Sequence, residues 1–188
     1  MAQDLAALES YGARTDWASL AATDPKLAAC TATFKGETGV DWTRPEARAV
    51  VAEALLRHDF GITYHAAPGH LVPCVPNRVR YVAWAAKVAG DGATSALDVG
   101  CGASCIIALL AARCRGWRVV ASESDAVQAM ASTAIAYVND KSELRPGSPN
   151  STLHSMEDPA RLTHTKMRFH EATGAASAGN SSGSLMIL

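Results

Sequence analysis

The 188 residues carry 17 Lys and Arg against 18 Asp and Glu, a formal net charge of −1, with 48% hydrophobic and 19% charged residues. That length and apolar content support one domain with a real core, and the near-neutral balance gives no bulk argument for or against a nucleic-acid partner. Five cysteines without a C-x-x-C pair, and an acidic start "MAQDLAALES" without a leader pattern, lead us to expect reduced thiols in an intracellular protein. No apolar run approaches the roughly 20 residues of a membrane span.

The first forty residues are weakly patterned, with a short helix and then extended segments around Phe34 and Val40. "DWTRPEARAVVAEALLRHDFG" is clearer: Thr43 and Glu46 have capping-box spacing and Pro45 suits a first turn. Ala47, Val50, Val51, Ala54 and Leu55 then repeat at helical spacing until Gly61. Pro68, Pro73 and Pro76 predict an extended passage, with a second helix only from Asn77. Its buried face is Val79, Val82, Ala83, Ala86 and Val88, and Gly90 stops it.

"SALDVG" then reads as a buried strand, "ASCIIALLAARC" as a helix, "WRVVASE" as a second strand and "DAVQAMASTAIAYVND" as a third strong helix ending at Asn139. Strand–helix–strand–helix is the pattern of a parallel sheet, so the fold class is α/β. Past Asp140 the periodicity stops, and a Gly/Ala/Ser/Asn-rich stretch follows that buries little. The expected organisation is a helical region over 1–90, a two-strand, two-helix unit over 91–139, and a disordered tail over 140–188.

The chemistry gathers at the first strand–helix junction. Asp98 ends the strand, and Gly100 and Gly102 allow a sharp turn and a close backbone approach by a ligand. G-x-G alone is weak and equally describes a plain turn; its position between strand and helix gives it weight. Glu123, ending the second strand, can accept the two hydroxyls of a ribose, or it can belong to the helix-start segment "SESD". The loop reads G-C-G-A-S-C, with Cys105 where a pyrophosphate-binding loop has its third glycine, which tilts from a dinucleotide toward S-adenosylmethionine. Arg78 begins the helix that leads to the first strand, where a guanidinium can clamp a carboxylate or simply face solvent. His58, His65 and His70 are too loosely placed for a metal set, and Tyr81 and Trp84 read as core or rim.

"HDFGI", "LVPCVPNRVRYVAW", "LDVGCGASCIIALL" and "GWRVVASESD" resemble, in order and spacing, the family of methyltransferase-like protein 16 and the bacterial large-subunit rRNA adenine methyltransferases. The resemblance covers about Trp42 to Asn139. It implies a partial class I S-adenosylmethionine-dependent, Rossmann-like fold with an N-terminal helical region that contributes to RNA binding. It also implies methylation of the 6-amino group of adenosine in structured RNA, ribosomal or small nuclear, in the nucleus or the cytoplasm. By position, Arg78, Gly100 and Glu123 fall on cofactor contacts, with Gly102 and Ser104 in the same loop; S-adenosyl-L-methionine is the implied cofactor and no metal is implied.

The family's N-P-P-F segment, which ends its fourth strand and holds the target adenine, does not occur in these residues. We therefore assign no catalytic residue and expect this chain to be inactive alone. The alternatives are a non-catalytic cofactor-binding module and a methyltransferase for a small molecule or protein. Two parallel strands with bare edges also predict marginal stability or aggregation.

Overall fold

The computed structural model describes residues 3–142, 165–168 and 184–188, and the architecture below is that of the described residues. Three short helices open it: α1 (Leu5–Glu9), α2 (Trp17–Thr23) and α3 (Pro25–Ala29). Each starts at an aspartate whose carboxylate accepts first-turn N–H groups: Asp4 from Ala6, Asp16 from Ser19, and Asp24 from Lys26 and Leu27. A hairpin of β1 (Thr31–Phe34) and β2 (Glu37–Val40) follows, antiparallel, turning through Lys35 and Gly36, both at positive φ (50° and 86°).

Helix α4 (Ala47–Phe60) begins later than the capping-box reading predicts. Asp41 takes both the Thr43 N–H and its hydroxyl, at 3.1 and 2.6 Å, so Thr43 closes a turn and does not cap the helix. Glu46 occupies the cap position without a side-chain capping hydrogen bond. Left-handed Gly61 (φ 63°) ends α4 as expected. Arg57 pairs with Asp24, tying α4 to the start of α3.

The second helix also departs from expectation. α5 (Val75–Ala89) starts two residues before Asn77, because Pro76 lies in its first turn, where the missing N–H has no intrahelical partner to lose. Val79, Val82, Ala83 and Ala86 are buried, but Val88 is 62% exposed and off the core face. Gly90 ends the helix.

Beyond it run β3 (Ala93–Val99), α6 (Ile106–Arg115), β4 (Arg118–Glu123) and α7 (Ala126–Ser142), each at the place the pattern predicts; α7 continues past Asn139. Two short strands within the stretch expected to lack structure correct that reading: β5 (Thr165–Arg168) and β6 (Ser184–Ile187). The remainder of 143–183 lies outside the described residues. The sheet order is β5-β4-β3-β6, with β3 parallel to both β4 and β6 and β5 antiparallel to β4. Both edges of the β3–β4 pair are therefore covered, which removes the reason for expecting aggregation there. Counting strands along the chain, the order is third, second, first, fourth, so direction reverses between β3 and β6. In open α/β sheets ligands bind beside that reversal, at the carboxyl ends of the strands.

One continuous core joins the helical region to the sheet, running from Leu8 through Leu27, Leu56, Val79 and Leu110 to Ala121. The irregular passage after Gly61 is drawn in by buried Ile62 and Tyr64. It is also held by Asn139, whose Oδ1 accepts the Thr63 N–H and whose Nδ2 donates to the Thr63 carbonyl, both at 2.8 Å. The asparagine that the sequence marks as a helix end is thus a bridge from α7 to the 61–74 passage. Replacing it removes two partly buried hydrogen bonds to the Thr63 backbone, each contributing roughly 0.5–1.5 kcal/mol, so Asn139→Ala is expected to lower unfolding free energy in urea by about 1–3 kcal/mol. An unchanged midpoint would show that the bridge contributes nothing.

Candidate functional site

The glycine loop is fixed by β4 rather than by its own turn. The N–H groups of Gly100 and Cys101 both donate to the Ser122 carbonyl, at 2.8 and 3.0 Å. The Gly102 N–H donates to Oε2 of Glu123 at 2.8 Å. Gly100 and Gly102 sit at φ 79° and 65°, a backbone that strains any other residue. A side chain at Gly100 would meet no atom within 4 Å, so the face of the loop is open. Val99, ending β3, is 59% exposed beside it.

Glu123 fills both roles that its sequence context allows. Oε1 accepts the N–H groups of Ser124 (2.7 Å) and Asp125 (3.0 Å) and, at 3.4 Å, the Ser124 hydroxyl. The Asp125 N–H foremost, then those of Gly102 and Ser124, holds its carboxyl below the ordinary carboxylate range. Asp125 in turn caps α7 through Gln128 N–H at 2.9 Å. A carboxylate offers about four acceptor positions. Oε2 therefore keeps one free, and a second incoming hydroxyl has only the long Ser124 hydroxyl bond to displace.

Asp98, which the sequence places just before the glycine loop, has surroundings that the sequence does not show. It is 3% exposed, and among the described residues its Oδ2 has no hydrogen-bond partner. Burial pushes its carboxyl up to about 6, against the lowering effect of the Ala108 N–H. No sequence signal announces this, because the orphaned oxygen results from α6 closing over the end of β3.

Of the residues predicted for the site, Gly102 and Glu123 are joined by a direct bond, Gly100 is held beside them through the Ser122 carbonyl, and half-buried Ser104 follows in the same loop. Arg78 lies in the first turns of α5, half-buried, with no hydrogen bond or ion pair linking its side chain to the loop among the described residues. α5 packs against both α6 and β6, the two elements that flank the loop. Tyr81 and Trp84 form a tilted ring pair at 5.6 Å on the outer side of α5, with Trp84 53% exposed, which makes them rim residues. A groove of about 620 Å³ between the α1–α2 linker and α4, lined by Tyr11, Arg14, His58 and Asp59, gathers none of the predicted site residues.

A sheet with its order reversed beside the first strand, a glycine loop at that strand's carboxyl end and an acidic residue ending the second define a Rossmann-like domain. Residues 1–147 match the family model described as RNA methyltransferase, and the chain belongs to that family. The ribosomal RNA large subunit methyltransferase F of Salmonella paratyphi B is 33% identical over 89% of this chain and 59% of its own length. The chain thus spans about three fifths of that relative. The N-terminal domain of human METTL16 in complex with SAH superposes with a TM-score of 0.65 at 28% identity, over 77% of this chain and 58% of that one. The catalytic domain of human METTL16 in complex with MAT2A 3'UTR hairpin 6 gives a TM-score of 0.62 at 30% identity, over 69% of this chain and 47% of that one. The fold is a partial Rossmann-like methyltransferase fold. No helix of the described residues is long and apolar enough to cross a membrane.

Proposed function

We propose that this chain holds S-adenosyl-L-methionine against the β3–α6 loop and forms the cofactor-binding part of an adenine N6-methyltransferase of structured RNA. The observation that carries the reading is the bond between Gly102 N–H and Glu123 at the reversal of the sheet. Glu123 takes the ribose hydroxyls through its free Oε2 position and the site of the Ser124 hydroxyl. Gly100, Gly102 and Ser104 line the loop with backbone that a ligand can approach closely, and the open space at Gly100 suits that approach. Arg78 supplies a guanidinium suited to a bidentate clamp on the methionyl carboxylate. The cofactor contributes an electrophilic methyl group on a sulfonium centre; the chain's part is to bind, orient and keep the loop rigid.

The SAH complex and the RNA-hairpin complexes of the METTL16 domains support the cofactor and the partner class. The adenine side of the reaction rests on the resemblance. β6 lies in register with β3, Leu97 opposite Ile187, and Leu188 N–H donates to the Leu97 carbonyl at 2.7 Å. A segment continuing β6 would therefore emerge beside Val99 and Gly100, at the open mouth of the loop, where an N-P-P-F segment would meet the methyl group. We propose that the 188 residues alone bind the cofactor without transferring its methyl.

Titration calorimetry with S-adenosylhomocysteine is expected to give saturable one-to-one binding, and methyl-labelled cofactor with hairpin RNA no labelled adenosine. Absence of binding overturns the cofactor reading. Label on adenosine N6 overturns the claim of no turnover, and label on protein or small molecules overturns the RNA reading.

A further inference from the structure

Gly12, in the linker between α1 and α2, rests against the first turn of α5. It sits at φ 79°, and a Cβ built on it would lie 2.7 Å from Cβ and 2.8 Å from Cγ of Pro76. Ordinary contact begins near 3.4 Å, so no side chain fits between linker and helix. The other positive-φ glycines of the described residues face open space or one more distant side-chain atom. At Gly12 the backbone angle and the missing room both demand glycine.

Neither partner of this contact is free to retreat. The Tyr11 hydroxyl donates to Asp59 near the end of α4, and the Tyr11 ring packs on Phe60 with centroids 5.2 Å apart. Gly12 follows directly, so the linker is tied to α4. In α5, Val75 and Val79 on either side of Pro76 in sequence are buried in the core. α1 packs against the same helix, and Lys87 pairs with Glu9 at 2.5 Å. The first turn of α5 is thus held between core and linker, and the rigid proline ring passes any push to its backbone.

Arg78 stands two residues on. Its N–H donates to the Cys74 carbonyl at 3.2 Å, closing the first turn of α5 around Pro76. We propose that Gly12 is a positioning residue for the cofactor site: by letting the linker seat directly on Pro76, it sets the start of α5 and so aims the Arg78 guanidinium at the methionyl carboxylate. This rests on the reading of Arg78 as the carboxylate clamp given above. Bidentate pairing is directional, and a binding group must be held within roughly 0.5 Å of its productive place. The room missing for a Cβ at Gly12 exceeds that tolerance. A tilt of the helix start is also magnified along the arginine side chain. In the same reading the ribose rests on Glu123 and the glycine loop, which belong to other elements, so the two ends of the ligand report separately.

Calorimetry on the full chain with two ligands tests this. S-adenosylhomocysteine carries the amino-acid end, whereas 5′-methylthioadenosine lacks it and keeps the ribose and adenine. Gly12→Ala is expected to bind S-adenosylhomocysteine about tenfold or more weakly, the contribution of one hydrogen bond to a charged group. Its affinity for 5′-methylthioadenosine should stay within about twofold of the parent. Arg78→Ala should show the same split, and adding Gly12→Ala to it should lose nothing more. Adding Pro76→Gly to Gly12→Ala removes the obstructing ring and should restore most of the lost affinity. Tyr11→Phe is the milder variant, which keeps the ring on Phe60 and releases only the Asp59 bond. It should weaken S-adenosylhomocysteine alone by about threefold, and it keeps the test decisive where Gly12→Ala does not fold.

Equal weakening of both ligands makes the linker merely structural and overturns the proposal, as does unchanged affinity for both. A Gly12→Ala loss that persists undiminished beside Arg78→Ala overturns the route through Arg78. If Arg78→Ala binds both ligands as the parent does, the clamp reading falls and the positioning role with it. If Arg78→Ala shows the split while Gly12→Ala and Tyr11→Phe do not, only the positioning role falls.

Discussion

Glu123→Ala is expected to weaken S-adenosylhomocysteine binding by about a hundredfold or more, since hydrogen bonds to a charged acceptor contribute roughly 1.5–3 kcal/mol each. Two effects combine. The ribose hydroxyls lose their acceptor, and the loop loses the contact that sets its shape, because Gly102 N–H has Glu123 Oε2 as its partner. The first turn of α7 loses its anchor as well, since Ser124 and Asp125 N–H both end on Oε1. The variant should therefore also melt earlier, by an amount that reports the structural share. Glu123→Gln separates the two contributions. Its carbonyl oxygen can keep the Ser124 and Asp125 bonds, while its amide nitrogen faces the Gly102 N–H as donor against donor. The glutamine variant should thus melt near the parent and still bind poorly. Calorimetry and a thermal melt on the same samples decide it, and a glutamine variant within threefold of the parent affinity removes Glu123 from the cofactor site.

That glutamate also shows what a sequence can and cannot disclose. Its two readings, ribose acceptor and helix-start residue, looked like alternatives, and four donors converging on one carboxylate make them compatible. The β3–α6–β4 unit was legible because short apolar runs stand between glycines, and the turn at Gly100 needs a backbone that few other residues adopt. The start of α4 was not legible: Asp41, two residues away, competes for the Thr43 hydroxyl, and the motif alone does not reveal the competitor. In the sequence Pro76 marks a barrier to helix, whereas the first helical turn admits it. Strands β5 and β6 are four residues each and pair with partners far away in sequence, so periodicity had nothing to act on. "SLMIL" does carry a short apolar signal after a Gly/Ser run, a signal too brief to tell a strand from a loop end. The orphaned oxygen of Asp98 is beyond any local pattern, being made by tertiary closure.

Asp98→Asn is expected to stabilise the chain at neutral pH. Burial raises the folded carboxyl from an ordinary value near 3.8 to about 6. Between roughly pH 4 and 6 the folded chain therefore keeps a proton that the unfolded chain has released, so stability from this group falls as pH rises through that window. Above pH 6 the folded chain carries a buried carboxylate with one oxygen unpartnered, at a penalty of about 3 kcal/mol relative to pH 4. Asparagine keeps an acceptor for the Ala108 N–H and has no charge to bury, so the variant should gain about 2–3 kcal/mol at pH 7.5 and almost nothing at pH 4. Glu123 acts with the opposite sign in a lower window. Its carboxyl is held below the ordinary range, and its contribution is lost only as pH falls through that depressed value. Urea unfolding at pH 4, 5, 6 and 7.5 therefore isolates Asp98, whose window lies inside that range while that of Glu123 lies below it. A variant less stable than the parent at pH 7.5, or a difference that does not change with pH, would show that Asp98 is not held as a destabilising buried acid. A carboxylate kept at such expense beneath the loop proposed to hold the cofactor is the stability–function conflict expected if that loop binds a ligand. Asp98→Asn should accordingly be the more stable protein and the weaker binder of S-adenosylmethionine, whose ammonium and sulfonium charges favour an ionised carboxylate nearby.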